Sequence, residues 1–270
     1  MARTTQTLAP LQKAGAEPFV AQPTDHTALT EAFTGAHGVY VMVQPNYIPD
    51  SPDFLAHQKR IVDTMVTALA SAGIRRIVTL SSWGADKPEG TGPVVGLHYL
   101  EEQVDFLDAA VTHLRAGYFM ENLLGCVRPE GVVAPFDADI AMPFVAAADI
   151  GHAAAETLIA PTQAIPGHPE IVEIQGERDL SMREATQVIG KLTGRPDLRY
   201  VRQSTDEFAA EQRAAGVSAG VAVLMVQVAN AINSGHTRAL QPRSARTTTP
   251  TSIESFVTNV LLPQGIKAPA

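Results

Sequence analysis

The chain has one cysteine, Cys126, among 270 residues. A single thiol excludes an internal disulfide and any metal cage built from cysteines. Tryptophan is as scarce, with Trp83 standing alone, and aromatic residues make up only 6% of the chain. No apolar run approaches the roughly 20 residues that a membrane-spanning helix needs. The first residues, Met1-Ala2-Arg3-Thr4-Thr5, lead into polar sequence rather than the apolar centre of a signal peptide. Positive charge is also short, with 20 Lys plus Arg against 28 Asp plus Glu, a net −8. That balance argues against binding to phosphate backbones, which takes a basic face. A cytoplasmic protein with neither nucleic acid nor membrane as partner is therefore expected. No His, Asp and Glu residues cluster at metal-ligand spacing, so no metal is expected.

What is there reads as a soluble globular protein: 45% apolar and 18% charged residues. That length holds one large domain, or one domain with an appended lobe. The organising stretch is residues 75–85, Arg-Arg-Ile-Val-Thr-Leu-Ser-Ser-Trp-Gly-Ala. Residues 77–80 form a short β-branched apolar run that follows a helical pattern ending at Gly73. This predicts a buried parallel strand opening into a Ser-Ser-x-Gly-Ala turn. Residues 38–43 (Gly-Val-Tyr-Val-Met-Val) and 112–115 predict its neighbours in the sheet, and residues 17–21 a further strand.

Helices are predicted over residues 4–14, 24–33 (capped by Thr24 or Asp25), 51–72 and 98–110. Ser51 is read as N-cap of the third, with Pro52 at its first position. Strands alternating with amphipathic helices imply an α/β, doubly wound parallel sheet. Beyond it, Asp149 is read as the cap of a helix reaching residue 158, and residues 161–169 as a linker. A strand is predicted at residues 171–175. Capping boxes then mark helices at Ser181-Met182-Arg183-Glu184 and Ser204-Thr205-Asp206-Glu207. The expected division is a core over residues 1–160 and a smaller, mostly helical lobe over 161–270, covering the carboxyl edge of the sheet.

Parallel sheets bind ligands beyond the carboxyl ends of their strands. Ser81, Ser82 and Trp83 follow one strand end. Gln44, Pro45 and Asn46 follow another, and Tyr118, Phe119 and Asn122 follow a third. Ser82 is positioned to polarise a carbonyl, and Tyr118 offers an acid. His98 and Glu102 share a helical face as a possible acid/base pair. The plainer readings are turn hydrogen bonds for the serines, packing for the aromatics and a solvated pair for His98 and Glu102. Cys126 has no base within sequence reach and is read as a small core residue.

The order of these pieces resembles the NmrA-like family, atypical relatives of the short-chain dehydrogenases. The matching stretches are Leu29-Thr30-Glu31-Ala32-Phe33-Thr34-Gly35-Ala36, residues 73–85, His98-x-x-x-Glu102, Leu114-Arg115-Ala116-Gly117-Tyr118-Phe119-Met120-Glu121-Asn122 and Asp149-Ile150-Gly151-His152-Ala153-Ala154. Gly176, Ser181, Glu184 and Gly194-Arg195 continue the match, which spans roughly residues 8–235. The resemblance implies a Rossmann-like fold and an NAD(P)H-linked oxidoreductase for a quinone-like or carbonyl small molecule. It makes Ser82, His98 and Tyr118 the expected catalytic set, with Gln44, Pro45, Asn46, Ser81, Trp83, Glu102, Phe119 and Asn122 expected around substrate or cofactor.

The chain departs from that pattern at one decisive place. Family members open with a strand, a Gly-x-x-Gly-x-x-Gly turn and a helix that hold the cofactor pyrophosphate. No such segment is present, and Gln22 stands where the family usually has an Asp near the adenine. The tyrosine–lysine pair of ordinary short-chain dehydrogenases falls at Tyr99 and Gln103, without the lysine. The expectation is a truncated Rossmann-like sheet that binds NADPH or NADH weakly or not at all. Either the third strand of the family pattern, residues 17–21, moves to pair with the fourth, residues 38–43, or a second copy or partner chain completes the sheet, or the biological start lies upstream. The alternatives are a redox-neutral enzyme (a cyclase, isomerase or lyase) using the same pocket, or a ligand-sensing regulator.

Overall fold

The computed structural model describes residues 5–43, 51 and 53–264. In chain order its elements are α1 (Thr5–Lys13), α2 (His26–Phe33), β1 (Val39–Val41), α3 (Phe54–Ser71), β2 (Arg76–Ser82), α4 (Val95–Asp105) and β3 (Ala110–Ala116). There follow β4 (Tyr118–Phe119), β5 (Val127–Arg128), β6 (Gly131–Ala134), β7 (Met142–Val145), α5 (Ala147–Ile159), β8 (Glu170–Ile174) and β9 (Asp179–Leu180). The chain closes with α6 (Met182–Leu192), β10 (Tyr200–Arg202), α7 (Thr205–Ala214), α8 (Ala219–Asn233) and α9 (Ile253–Phe256).

The main sheet is four-stranded, ordered β1-β2-β3-β8, and every pair in it is parallel. The three strands expected to be neighbours are neighbours. β2 and β3 pair along their whole length, from Arg76 opposite Ala110 to Ser82 opposite Ala116. The fourth strand, β8, comes from the second half of the chain. Among the described residues the outer edge of β1 pairs with no strand of this sheet.

Alternation along β2 sends Ile77 into a core with Ile61, Met65, Leu69, Leu100 and Val104, and Val78 into another with Leu114, Ile150 and Ile174. Burying each such aliphatic side chain contributes about 1.5–3 kcal/mol. A third core gathers Phe144, Met182, Ile232 and Phe256 with Trp83 and Met120. Two three-stranded sheets build that region, β10-β6-β5 and β4-β7-β9. Gly117 allows the crossing between them and the main sheet, because a Cβ there would lie 2.3 Å from the Pro143 carbonyl oxygen.

Several local expectations are corrected. Residues 17–21 form no strand; only Val20 makes an isolated bridge. Asp53, not Ser51, caps α3, its carboxylate accepting from the Ala56 amide at 2.9 Å. α4 begins at Val95, ahead of the expected residue 98, and stops at Asp105, short of the expected residue 110, which already belongs to β3. Asp149 lies inside the first turn of α5 rather than capping it. It is buried, and accepts from the backbone N and the hydroxyl of Thr251 at 2.9 and 2.7 Å. Both capping boxes are present, at Ser181 with Glu184 and at Ser204 with Glu207. Among the described residues no helix is long and apolar enough to cross a membrane.

Candidate functional site

A cavity of about 470 Å³ opens where the ends of β2 and β3 meet residues of α7 and α8. The sheet contributes Ser82, Trp83, Gly117, Tyr118 and Phe119 to its wall, and the following turn adds Asn122 and Cys126. The short 3-10 helix Gly92–Val94 supplies Pro93 and Val94. Phe136, Phe208, Met225, Val228 and Ile232 bring apolar surface from the other side, and Arg128, Gln203 and Glu211 polar groups. The wall is therefore mostly apolar with a few convergent polar atoms, the usual character of a small-molecule site.

Tyr118 is the titratable group at the centre of this arrangement. Its ring stands edge-on to Phe136 and Phe144, with centroids 5.4 and 5.3 Å away. Burial pushes its hydroxyl well above the ordinary 10, and the proximity of Cys126 and Tyr200 adds to this. A hydrogen bond with the Asn122 side chain works the other way but does not reverse the shift. The phenol therefore keeps its proton across the physiological range. The Cys126 thiol is pushed by burial to about 11, against the pull of Arg128 and a hydrogen bond with Tyr118. It donates to the Asn122 carbonyl oxygen at 3.3 Å. At neutral pH it is a neutral lining group, not a nucleophile.

The remaining sequence candidates fall into three places. Ser82, Trp83, Tyr118, Phe119 and Asn122 share the cavity wall. Ser81 points to the other face of β2, where its hydroxyl donates to Glu101 Oε1. His98 and Glu102 are not part of the cavity wall. The Nδ1–H of His98 donates to the Ala85 carbonyl oxygen at 2.8 Å, so His98 anchors the turn that carries Trp83. Its Nε2 faces Glu102 Oε1 at 3.4 Å, and Glu102 is largely exposed. Gln44, Pro45 and Asn46 lie outside the described residues.

Two buried polar networks behind β2 and β3 were not picked out from sequence. Arg115 donates through Nε and Nη2 to the two Glu101 oxygens, at 2.9 and 2.5 Å, beneath Ser81. Burial opposes the Arg115 charge, but the bond and charge of Glu101 outweigh it and raise its pKa. Next to this, His113 bridges Thr79 Oγ1 at 2.7 Å and Asp105 Oδ1 at 2.9 Å, with Thr79 and His113 almost fully buried. Neither network reaches the cavity wall. Both lock β2 to β3 and α4, and so fix where Ser82 and Trp83 emerge.

The dinucleotide implied by the resemblance can be tested against the helix N-termini that follow strands. That of α3 is filled by the Asp53 carboxylate. That of α5 is filled by Glu121, which accepts from the Ala147 amide at 2.9 and 3.1 Å. A phosphate at either would meet a fixed negative charge. Ahead of α4, the glycines leave no open cradle, since an added Cβ at Gly84, Gly92 or Gly96 would lie within 2.7 Å of Thr237, Leu224 or Gln58 atoms. The described residues thus do not fit a pyrophosphate. Nor, among them, does any group of three or more His, Cys, Asp or Glu residues come together to hold a metal ion.

A family model described as the NmrA-like family matches residues 2–234. Among curated proteins, agroclavine dehydrogenase from Claviceps fusiformis is 26% identical over 174 residues, covering 62% of this chain and 57% of that protein. The match thus spans less than two thirds of that relative's length. An NADPH-dependent quinone oxidoreductase from Escherichia coli, solved with NADPH, superposes with a TM-score of 0.76 at 20% identity. It covers 96% of this chain and 88% of its own. Citrobacter sp. triphenylmethane reductase gives the same TM-score at 16% identity, with the same coverage of 96% and 88%.

Proposed function

The chain belongs to the NmrA-like family, and from that premise we propose that it is an oxidoreductase acting on a flat, mostly apolar quinone-like or carbonyl compound. The observation that carries the proposal is the Tyr118 phenol, held protonated in a cavity whose other walls are aromatic and aliphatic. A neutral phenol beside Asn122 is a hydrogen-bond donor to a carbonyl oxygen and an acid when charge develops on it. Ser82 adds a second donor from the end of β2, and Trp83, Phe119 and Phe136 provide flat faces for a ring. His98 serves this site by holding the 83–85 turn rather than by touching the substrate.

A reduced nicotinamide is the hydride source that the family implies. The relatives named above include one solved with NADPH. The described residues do not cradle a pyrophosphate. The carboxylate-filled helix ends favour one second reading, a redox-neutral enzyme in the same cavity. Turnover decides between them. NADPH or NADH oxidation should depend on an added quinone or aromatic ketone, and Tyr118→Phe should lower kcat by about 10²–10⁴-fold, the usual contribution of a general acid. Binding of such compounds with no oxidation of either dinucleotide would replace the oxidoreductase by the redox-neutral reading.

A further inference from the structure

The lobe's wall of the cavity carries a polar cluster that the carbonyl chemistry does not use. Arg128, at the end of β5, lies side by side with Glu211 of α7. Its Nη1 donates to Oε2 at 3.1 Å and its Nη2 to Oε1. Gln203, just beyond β10, donates through Nε2 to the same Oε2 at 2.8 Å. That leaves the Gln203 amide oxygen buried with no partner. Turning the amide over would set its oxygen against the carboxylate, so the orphan must be the acceptor. A second buried orphan, the hydroxyl of Thr91, belongs to the same cavity wall; Thr91 is 1% exposed. Buried groups without partners are costly, and rare enough that each calls for a reason.

We propose that the Arg128–Glu211–Gln203 cluster is the docking point for a hydroxyl group, so that the substrate is an aromatic carbonyl compound bearing a free O–H on a separate edge of its ring system. This rests on the reading of the cavity as the substrate site. The bonds from Arg128 and Gln203 hold the Glu211 carboxyl below its ordinary range, so it stays an acceptor. Beside it, Arg128 makes the cluster neutral as a whole. An anionic ligand group meets Glu211 and a cationic one meets Arg128, whereas a hydroxyl donates to Glu211, held in place by Gln203, and accepts from Arg128. The pairing of β6 with β10, Ala134 opposite Arg202, fixes Gln203 beside the apolar wall. Specificity of this kind comes from buried polar atoms left unpaired when the matching group is missing.

Calorimetric titration without dinucleotide tests the assignment, using 2-acetylnaphthalene, its 6-hydroxy derivative and its 6-carboxylate. The hydroxy compound should bind about tenfold or more tighter than the parent, the range for a hydrogen bond to a charged group, and the carboxylate no tighter than the parent. Glu211→Gln and Gln203→Leu, each checked for an intact melting transition, should cut the hydroxyl advantage to about threefold or less. Tyr118→Phe should preserve it. Equal affinities of the hydroxy and parent compounds for the unaltered chain overturn the hydroxyl assignment, whether or not turnover occurs. If none of the three binds, the cavity reading itself falls, and the substrate assignment with it. Hydroxyl-dependent binding without turnover leaves this inference standing and removes only the oxidoreductase.

Discussion

Cys126 gives the site a readable pH dependence. Folding raises its thiol from 9.0 to about 11. A raised pKa means stability that is complete below pH 9 and is lost as pH climbs through 11. Melting temperature is therefore expected to hold up to about pH 9 and then decline, before the buried tyrosines begin to ionise. In Cys126→Ala the first part of that decline, between pH 9 and 10, should flatten; an unchanged slope would show that the thiol does not titrate as described. Alkylation by iodoacetamide should likewise stay slow at pH 8 and accelerate only toward pH 11. Tyr118 follows the same logic with no titration in the working range, so kcat lost in Tyr118→Phe should be lost equally at pH 6 and pH 8.

At the scale of elements, close packing and buried charge set the cavity walls. The 3-10 helix Gly92–Val94 lies against α8 so closely that a Cβ at Gly92 would sit 2.1 Å from the Leu224 carbonyl oxygen, at a φ of +62°. Gly92→Ala should thus cost about 2 kcal/mol or more, seen as a drop in denaturant midpoint. Glu101→Gln strips the charge facing buried Arg115, a change that costs about 3–5 kcal/mol where nothing else compensates. Asp86 and Glu173 also act on Arg115, which places the expected loss at the lower end. A loss under about 1 kcal/mol would mean that the pair does not hold β3 to α4.

These elements also show what a sequence discloses. β1, β2 and β3 were legible because a buried parallel strand is a short β-branched run, and both capping boxes because their signal is only four residues long. Residues 17–21 have the composition of a strand, yet only Val20 makes a bridge there. The His98–Glu102 pair stood out by its spacing, yet the buried carboxylate is Glu101, one position along and turned inward beneath the sheet. Nothing local distinguishes the two. Arg128 and Glu211 lie 83 residues apart, and only the pairing of β6 with β10 and the seating of α7 bring them together. Ser82, Trp83 and Tyr118 reached one wall as expected from strand ends; the lobe's half of that wall had no sequence signal.

For the whole molecule, the sharpest expectation is weak dinucleotide binding. Amide and charged hydrogen bonds at a phosphate cradle contribute about 1.5–3 kcal/mol each, so the lack of two or three weakens binding by about three to six orders of magnitude. NADPH and NADH should bind no better than about millimolar, followed by nicotinamide fluorescence. A micromolar Kd would mean that a cradle forms outside the described residues.

The order of the main sheet carries one more consequence. Its strands stand side by side in the order in which they occur in the chain, β1, β2, β3, β8. A ribosome thus releases each strand next to the one already made, and no later strand must insert between two earlier ones. The cavity obeys a different schedule. Its wall runs from Ser82 to Thr237, so it stays open on one side until α8 and the turn after it have left the exit tunnel and closed over Gly92. A ligand for this site acts on the last stage of maturation: it can hold the finished chain together but has nothing to grip on the growing one.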